Sequence, residues 1–312
     1  MNNMTGTGTQ NDPYIISSAD DLYAMKTVGG NGVYCELGAD IDFNGTPYAE
    51  HFETIPINCA YFDGKGHTIR NIYIQQLTGS AKLFAVSQQT SLKVYVSGLK
   101  LENIDVAAEN IYIFNNVVTT GSAQRISFYN CSFAFRLRRN NSSTGADYSF
   151  ICGNYINPDF ELCSIALDII AGSSMPLIKN GTLKRSHIDL QMKVRNAASG
   201  AQTQLLYSTA VTDSYITGKI ESLSEPITNF YISDASSKYI NFYSVLEFDG
   251  LTNIYWDGIF NRACFYDKEV AENRTFSRAS SSTLYEYYGL TTAQCKDPAY
   301  LMALGFIVEG TE

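Results

Sequence analysis

Apolar residues recur along this chain at positions i, i+2, i+5 and i+7. The spacing appears as Leu99, Leu101, Ile104 and Val106, again as Ile126, Phe128, Cys131 and Phe133, and a third time as Phe160, Leu162, Ile165 and Leu167. Shorter versions follow at Leu183, Ile188, Leu190 and at Val211, Ile216, Ile220, and a partial one precedes them at Ile69, Ile72, Ile74. Within each half the alternation is two, the period of a β-strand with one buried face, and the step of three marks a bend. Two short strands therefore meet at a corner, and the unit returns at coil-length intervals. Such units cannot bury their apolar faces alone and must stack. The pattern predicts an all-β fold, a single right-handed parallel β-helix (solenoid). A β-sandwich also has many short strands, but it should show tight hairpin signals at even spacing, and clear glycine turns are few here.

Both ends carry closure signals. Ser18 is a good helix N-cap with Asp21 three residues later, Leu22 and Met25 on one face, and Gly29-Gly30 as a stop. Asp297-Pro298 starts a second helix through Ala303, ended by Gly305. The expected organisation is an entry segment and capping helix at 1–30, the parallel β-helix at 31–278, and a C-terminal cap with short helices at 279–312. Capping helices at the N- and C-terminal ends answer a physical need, because an open coil exposes apolar side chains and unpaired strand edges.

Composition narrows the picture. Hydrophobic residues make up 45% and charged ones 17%, with 22 Tyr and 17 Phe, a mixture that favours half-buried strands. A net charge of −9 argues against nucleic-acid binding through phosphates. The cluster Arg136, Arg138, Arg139 reads as a strand end at a solvated turn. No basic segment followed by an apolar run opens the chain and no stretch has the length of a membrane span, so neither a secretory leader nor membrane insertion is expected. The seven cysteines (Cys35, Cys59, Cys131, Cys152, Cys163, Cys264, Cys295) contain no CxxC pair. They read as buried free thiols acting as small hydrophobes, compatible with folding in a reducing cytoplasm.

Three stretches carry a family likeness: Gly6-Thr7-Gly8-Thr9 with Asp12-Pro13-Tyr14-Ile15-Ile16-Ser17 and Asp20-Asp21-Leu22; Tyr34-Cys35-Glu36-Leu37, Asp40-Ile41-Asp42-Phe43 and the turn Phe62-Asp63-Gly64-Lys65-Gly66-His67-Thr68-Ile69; and Gly289-Leu290-Thr291-Thr292-Ala293-Gln294 through Asp297. Together they resemble bacterial and phage surface β-helices, the adhesin-like proteins with GLUG-type repeats and β-helical phage fibre or appendage proteins. The resemblance implies a structural or attachment role on the virion surface after assembly in the host cytoplasm. It also implies other virion proteins as partners and a homo-oligomer, by analogy a trimer. The matched positions are architectural, so no catalytic residue is carried across.

Candidate chemistry is sparse. Of the outward positions, Asp168 and Asp189 fall in adjacent coils, about 8 Å apart by strand geometry, which suits an inverting glycosidase. Two acids among many outward positions arise easily by chance, and solvated carboxylates are the simpler reading. His51, His67 and His187 are dispersed, and Asp40 with Asp42 lacks the repeat of a calcium solenoid, so no metal and no cofactor is expected. Aromatics crowd the last quarter (Tyr239, Tyr243, Tyr255, Trp256, Phe260, Phe265, Tyr266, Tyr285, Tyr287, Tyr288). Core packing explains most of them; Tyr255, Trp256, Phe260 and Tyr266 are candidates for a face that binds a host glycan, a host protein or another subunit. The expected function is a non-enzymatic phage fibre, appendage or receptor-binding component. A polysaccharide-degrading tailspike-like glycosidase or lyase and a bacterial surface adhesin are the alternatives.

Overall fold

The computed structural model describes residues 4–28, 32–86, 93–116, 124–139, 151–152, 156–171, 176–194, 203–223, 227–233, 236–256, 259–260, 264–271 and 287–303. The chain is a parallel β-solenoid, nearly all-β in class, with short helices near each end. It forms two compact units, one running to Ala166 and one from Leu167 onward.

In the first unit one ladder runs through Tyr14–Ile16, Tyr34–Leu37, Tyr61–Asp63, Lys93–Ser97, Gln124–Tyr129 and Ile156–Glu161, each parallel to the next. A second ladder runs through Ile41–Asp42, the start of Thr68–Val86, the start of Lys100–Asn116, and Ser132–Arg139. A third side pairs Ile55–Ile57 with the end of Thr68–Val86, which pairs in turn with the end of Lys100–Asn116. Parallel neighbours need a long return connection, and here the other two sides of each turn supply it. The second unit repeats the plan. Thr182–Lys184 and His187–Val194 both pair with Ala210–Ser222, which pairs with Lys238–Asp249. Ile178–Lys179, Thr203–Tyr207, Ile227–Ser233 and Leu251–Trp256 form a separate parallel sheet.

The corner between the first two ladders is a residue with left-handed backbone: Gly98, Asn130 and Leu162 in the first unit, Arg185 and Asp213 in the second. The residue after the corner points inward, and at four of these corners it turns a donor back on the strand it has left. Cys131 Sγ donates to the Tyr129 carbonyl (3.4 Å), Cys163 Sγ to Glu161 (3.4 Å), Ser186 Oγ to Lys184 (2.8 Å) and Ser214 Oγ to Thr212 (2.7 Å). A carbonyl turned into the interior is costly unless bonded, so Cys and Ser share one task at one position. These thiols are corner donors as well as small hydrophobes.

The corners also correct the phase of the sequence repeat. Leu162 is 39% exposed with φ of 56°, and the inward residue beside it is Cys163. The copy at Leu99–Val106 obtains its step of three differently, from an extra residue inside the second ladder: Asn103, at φ 52°, lies above Asn71 at φ 62°. Asn103 Nδ2 donates to Asn71 Oδ1 (2.6 Å) and Asn71 Nδ2 to Asp42 Oδ1 (2.7 Å), so this column is held by side-chain amides. Asparagine tolerates the left-handed region better than other side chains.

The arginine cluster is a second correction. Arg136, Arg138 and Arg139 close strand Ser132–Arg139, a strand end as expected, but Arg139 is not solvated. Arg139 takes the inward position at 2% exposure, with Nε donating to the Glu109 carbonyl (3.2 Å) and Nη2 to Asn110 Oδ1 (3.1 Å). Arg138 points outward to Asp105 (2.6 Å).

The expected N-terminal helix is present as Ala19–Ala24, with Ser18 Oγ accepting from the Asp21 amide (3.2 Å). The helix expected after Asp297 is Pro298–Ala303, preceded by a turn of helix, Thr292–Cys295, closed by a capping box between Thr291 and Gln294. Gly29, Gly30 and Gly305 lie outside the described residues.

Candidate functional site

The outer face of the first unit's first ladder holds its most distinctive side chains. Alternation turns Cys35, Phe62 and Val96 inward and Tyr34, Tyr61 and Tyr95 outward, and the register Tyr34↔Tyr61↔Tyr95 places the three rings in one column. The rings stack face to face, with centroids 4.2 Å apart at 5° and 5.1 Å apart at 6°. Tyr61 and Tyr95 remain 38% and 41% exposed. Desolvation of the Tyr34 hydroxyl, helped by its hydrogen bond with Tyr61, raises its pKa.

The column stops at Tyr95, because the next residue in register is Ser127. Lys93 Nζ lies 4.9 Å from the Tyr95 ring centroid. One rung further, Asp159 accepts from Arg125 Nε (3.1 Å), Arg125 Nη2 (3.0 Å) and Ser127 Oγ (3.3 Å), with Lys93 Nζ at 3.9 Å. The carboxylate beside Arg125 raises the pKa of that guanidinium. A parallel outward column runs Glu36, Asp63, Ser97 and Tyr129; Lys65 Nζ sits 3.3 Å from Glu36, and Tyr129 is 50% exposed.

The chemistry follows from this geometry. Because the rings cover one another's faces, the surface shows ring edges and hydroxyl tips, flanked by paired charges on a hydrogen-bonded ladder. Apolar ring edges alternating with hydroxyl tips make an amphipathic strip whose groups are fixed in register. The sequence pattern missed this column, although a signal exists: Tyr-Cys-Glu at 34–36, Tyr-Phe-Asp at 61–63 and Tyr-Val-Ser at 95–97 share the order outward ring, inward apolar residue, outward polar residue.

Asp168 and Asp189 occupy exposed positions on paired strands, Ser164–Ala171 and His187–Val194. Asp189 faces Thr217 across the next rung, with Thr217 Oγ1 donating to it at 3.5 Å, while His187 Nε2 lies 2.9 Å from the same hydroxyl. His187 belongs to a second in-register column: His187 stacks on Tyr215 (4.1 Å), Tyr215 on Tyr243 (4.7 Å) and Tyr243 on Phe265 (5.2 Å). Burial against Tyr215 lowers the His187 pKa, opposed by the Asp189 charge. The unfolded chain therefore takes up the proton first as pH falls. The neutral ring's contribution to stability is complete above the unfolded histidine value of about 6.5 and is lost as pH drops through it toward the folded value. Unfolding midpoints measured from pH 7.5 down to 5.5 are expected to fall, and to fall less in His187→Gln. Equal slopes would rule out this histidine as the source.

The late aromatics divide. Tyr239 and Phe265 are fully buried, and Tyr266 is buried at 8% exposure, which removes it from the surface face expected of it. In the C-terminal cap Leu290 and Leu301 cover Phe265, with Tyr243, Cys295 and Tyr300 packed around them, and Tyr266 registers with Gly289 of the strand that follows. Tyr255 and Trp256 lie in strand Leu251–Trp256, in register with Tyr231 and Ser233, and Phe260 pairs with Tyr239. The side chains of Tyr255, Trp256 and Phe260 fall outside the described residues, as does Tyr285. Among the described residues no group of three or more His, Cys, Asp or Glu is placed to hold a metal ion, and no helix is long and apolar enough to cross a membrane.

No protein-family model matches the chain, and no curated protein matches it. Among solved structures it is similar to a protein described as a "putative immunoglobulin A1 protease from Bacteroides ovatus", with 15% identity, a TM-score of 0.47, and coverage of 82% of this chain and 86% of that one. What stands without any relative is the architecture, a parallel β-solenoid with an outward column of stacked tyrosines.

Proposed function

We propose that this chain is a non-enzymatic attachment protein, a fibre or appendage component displayed on a phage virion, and that it meets a host-surface glycan through the Tyr34–Tyr61–Tyr95 column. The observation that carries the proposal is the column itself. Three rings held in register on a ladder, with edges and hydroxyls exposed, form a surface whose shape is set before binding. A preformed surface avoids the cost of ordering side chains on contact, which otherwise erodes affinity. The virion setting and the partnership with other virion proteins, with the chain as a trimer, rest on the resemblance of the entry and turn segments to phage surface β-helices.

The test uses the purified chain, glycan arrays and host cells. Tyr61→Ala combined with Tyr95→Ala should lower binding at least tenfold and the melting temperature by only a few degrees, since the lost ring stacks lie on the partly exposed outer face, and circular dichroism should show the fold retained. Asp168→Asn should bind as the parent does, and no reducing sugar should be released by either protein. Unchanged binding in the tyrosine variant sinks the contact-face assignment. Sugar release abolished by Asp168→Asn would replace attachment with hydrolysis. Immunogold labelling of purified virions checks the location, and absence of label from every virion refutes it.

A further inference from the structure

We infer that Cys131 and Cys163 form a disulfide joining two consecutive turns of the first unit when the folded chain meets a small-molecule disulfide in an oxidising environment. The two residues are equivalent by position. Each follows a left-handed corner residue, Asn130 or Leu162, each is buried at 3% exposure, and each thiol donates to the carbonyl two residues back. The Ser164 amide donates to the Cys131 carbonyl (3.0 Å), and Cys163 Sγ donates to the Phe128 carbonyl (3.5 Å), so the two corners lie on neighbouring rungs. Neighbouring strands run about 4.8 Å apart, inside the Cα separation of about 4.4–6.8 Å that disulfides bridge. Cys35 and Cys59 also touch, but Cys35 registers with Phe62 while Cys59 lies ahead of that strand, so they are not equivalent rungs.

The chemistry balances as a two-step exchange. The Cys163 thiolate attacks one sulfur of the small disulfide and expels the first small thiol, which carries away the Cys163 proton. The Cys131 thiolate then attacks the Cys163 sulfur and expels the second, which carries away the Cys131 proton. Two protein thiols are oxidised and one small disulfide is reduced to two thiols. The order is interchangeable, since attack by Cys131 first and Cys163 second gives the same products and the same balance. Both thiols are buried, so exchange proceeds through opening of the corner and is slow. A chain folded in a reducing compartment would thus acquire a staple only after release.

The experiment incubates the full folded chain with oxidised glutathione, quenches with acid, alkylates in denaturant and maps peptides by mass. The expected product joins the Cys131 and Cys163 peptides, two hydrogens lighter than the separate thiols, with a melting temperature several degrees above the untreated chain. In Cys163→Ser both the cross-link and the rise should disappear, and the fold should survive because Ser186 and Ser214 fill the same corner position in the second unit. Alkylation of both cysteines after oxidation, Cys131 bonded to any other cysteine, or a full rise in the Cys163→Ser chain would overturn the proposal.

Discussion

Replacing Gly218 with alanine is expected to cost roughly 4 kcal/mol, a large loss that here comes from a clash with backbone that cannot give way. Gly218 lies within strand Ala210–Ser222 and pairs with Leu190 of the preceding turn. Its φ is +128°, and a β-carbon there would stand 1.8 Å from the Leu190 carbonyl oxygen and 2.7 Å from its carbon. Those atoms belong to the neighbouring rung and cannot move without breaking its ladder. Gly45 supplies the control: its φ is +75°, but a β-carbon would meet nothing within 4 Å. Gly45→Ala therefore bears only the left-handed penalty, about 1–2 kcal/mol. Urea unfolding of the two variants separates the terms, and equal losses would mean that the Leu190 contact yields.

Gly218 also shows where the sequence is readable and where it is not. Within a strand, the inward residue is legible from alternation: Ile188 and Leu190, or Val211, Ile216 and Ile220, are all buried as the pattern requires. The caps are legible for the same local reason, since Ser18 and Asp297 act within one helical turn. Contacts across turns are not. The tyrosines of the outer column are separated by coils of different length, so no constant period links them, and the close approach at Gly218 depends on which residue of the preceding turn lies beside it. The repeat's phase was ambiguous because an αL corner at Asn130 and an inserted asparagine at Asn103 create the same step of three. Arg139 misleads through its chemistry, for a charged residue at a strand end normally reaches solvent, and here the Glu109 carbonyl and Asn110 hold it inward. The late aromatics mislead by number: density in sequence does not distinguish a core and cap from a face.

Phe128→Ala is expected to destabilise the first unit by about 3–5 kcal/mol, the usual cost of removing a buried aromatic ring. Phe128 is 1% exposed and joins three neighbours: it stacks on Phe160 (5.0 Å, 11°), meets Phe133 edge-on (5.3 Å, 86°) and tilts against Phe114 (4.7 Å, 51°). Phe133 belongs to the same turn, while Phe114 and Phe160 come from the preceding and following turns, so the cavity opens between rungs, where hydrogen-bonded ladders prevent collapse. Phe128→Leu keeps most of the volume and should cost about 1–1.5 kcal/mol. The distribution of the loss matters as much as its size. A solenoid's stability is a sum over neighbouring repeats, so amide exchange should quicken in Lys93–Ser97 and Ile156–Glu161, the two strands that flank Gln124–Tyr129, and less in Tyr14–Ile16. An effect confined to Gln124–Tyr129 would mean that the ring serves its own strand alone. Uniform quickening would mean that the unit opens as a whole, and the stacked rings would then be holding the unit as one cooperative block.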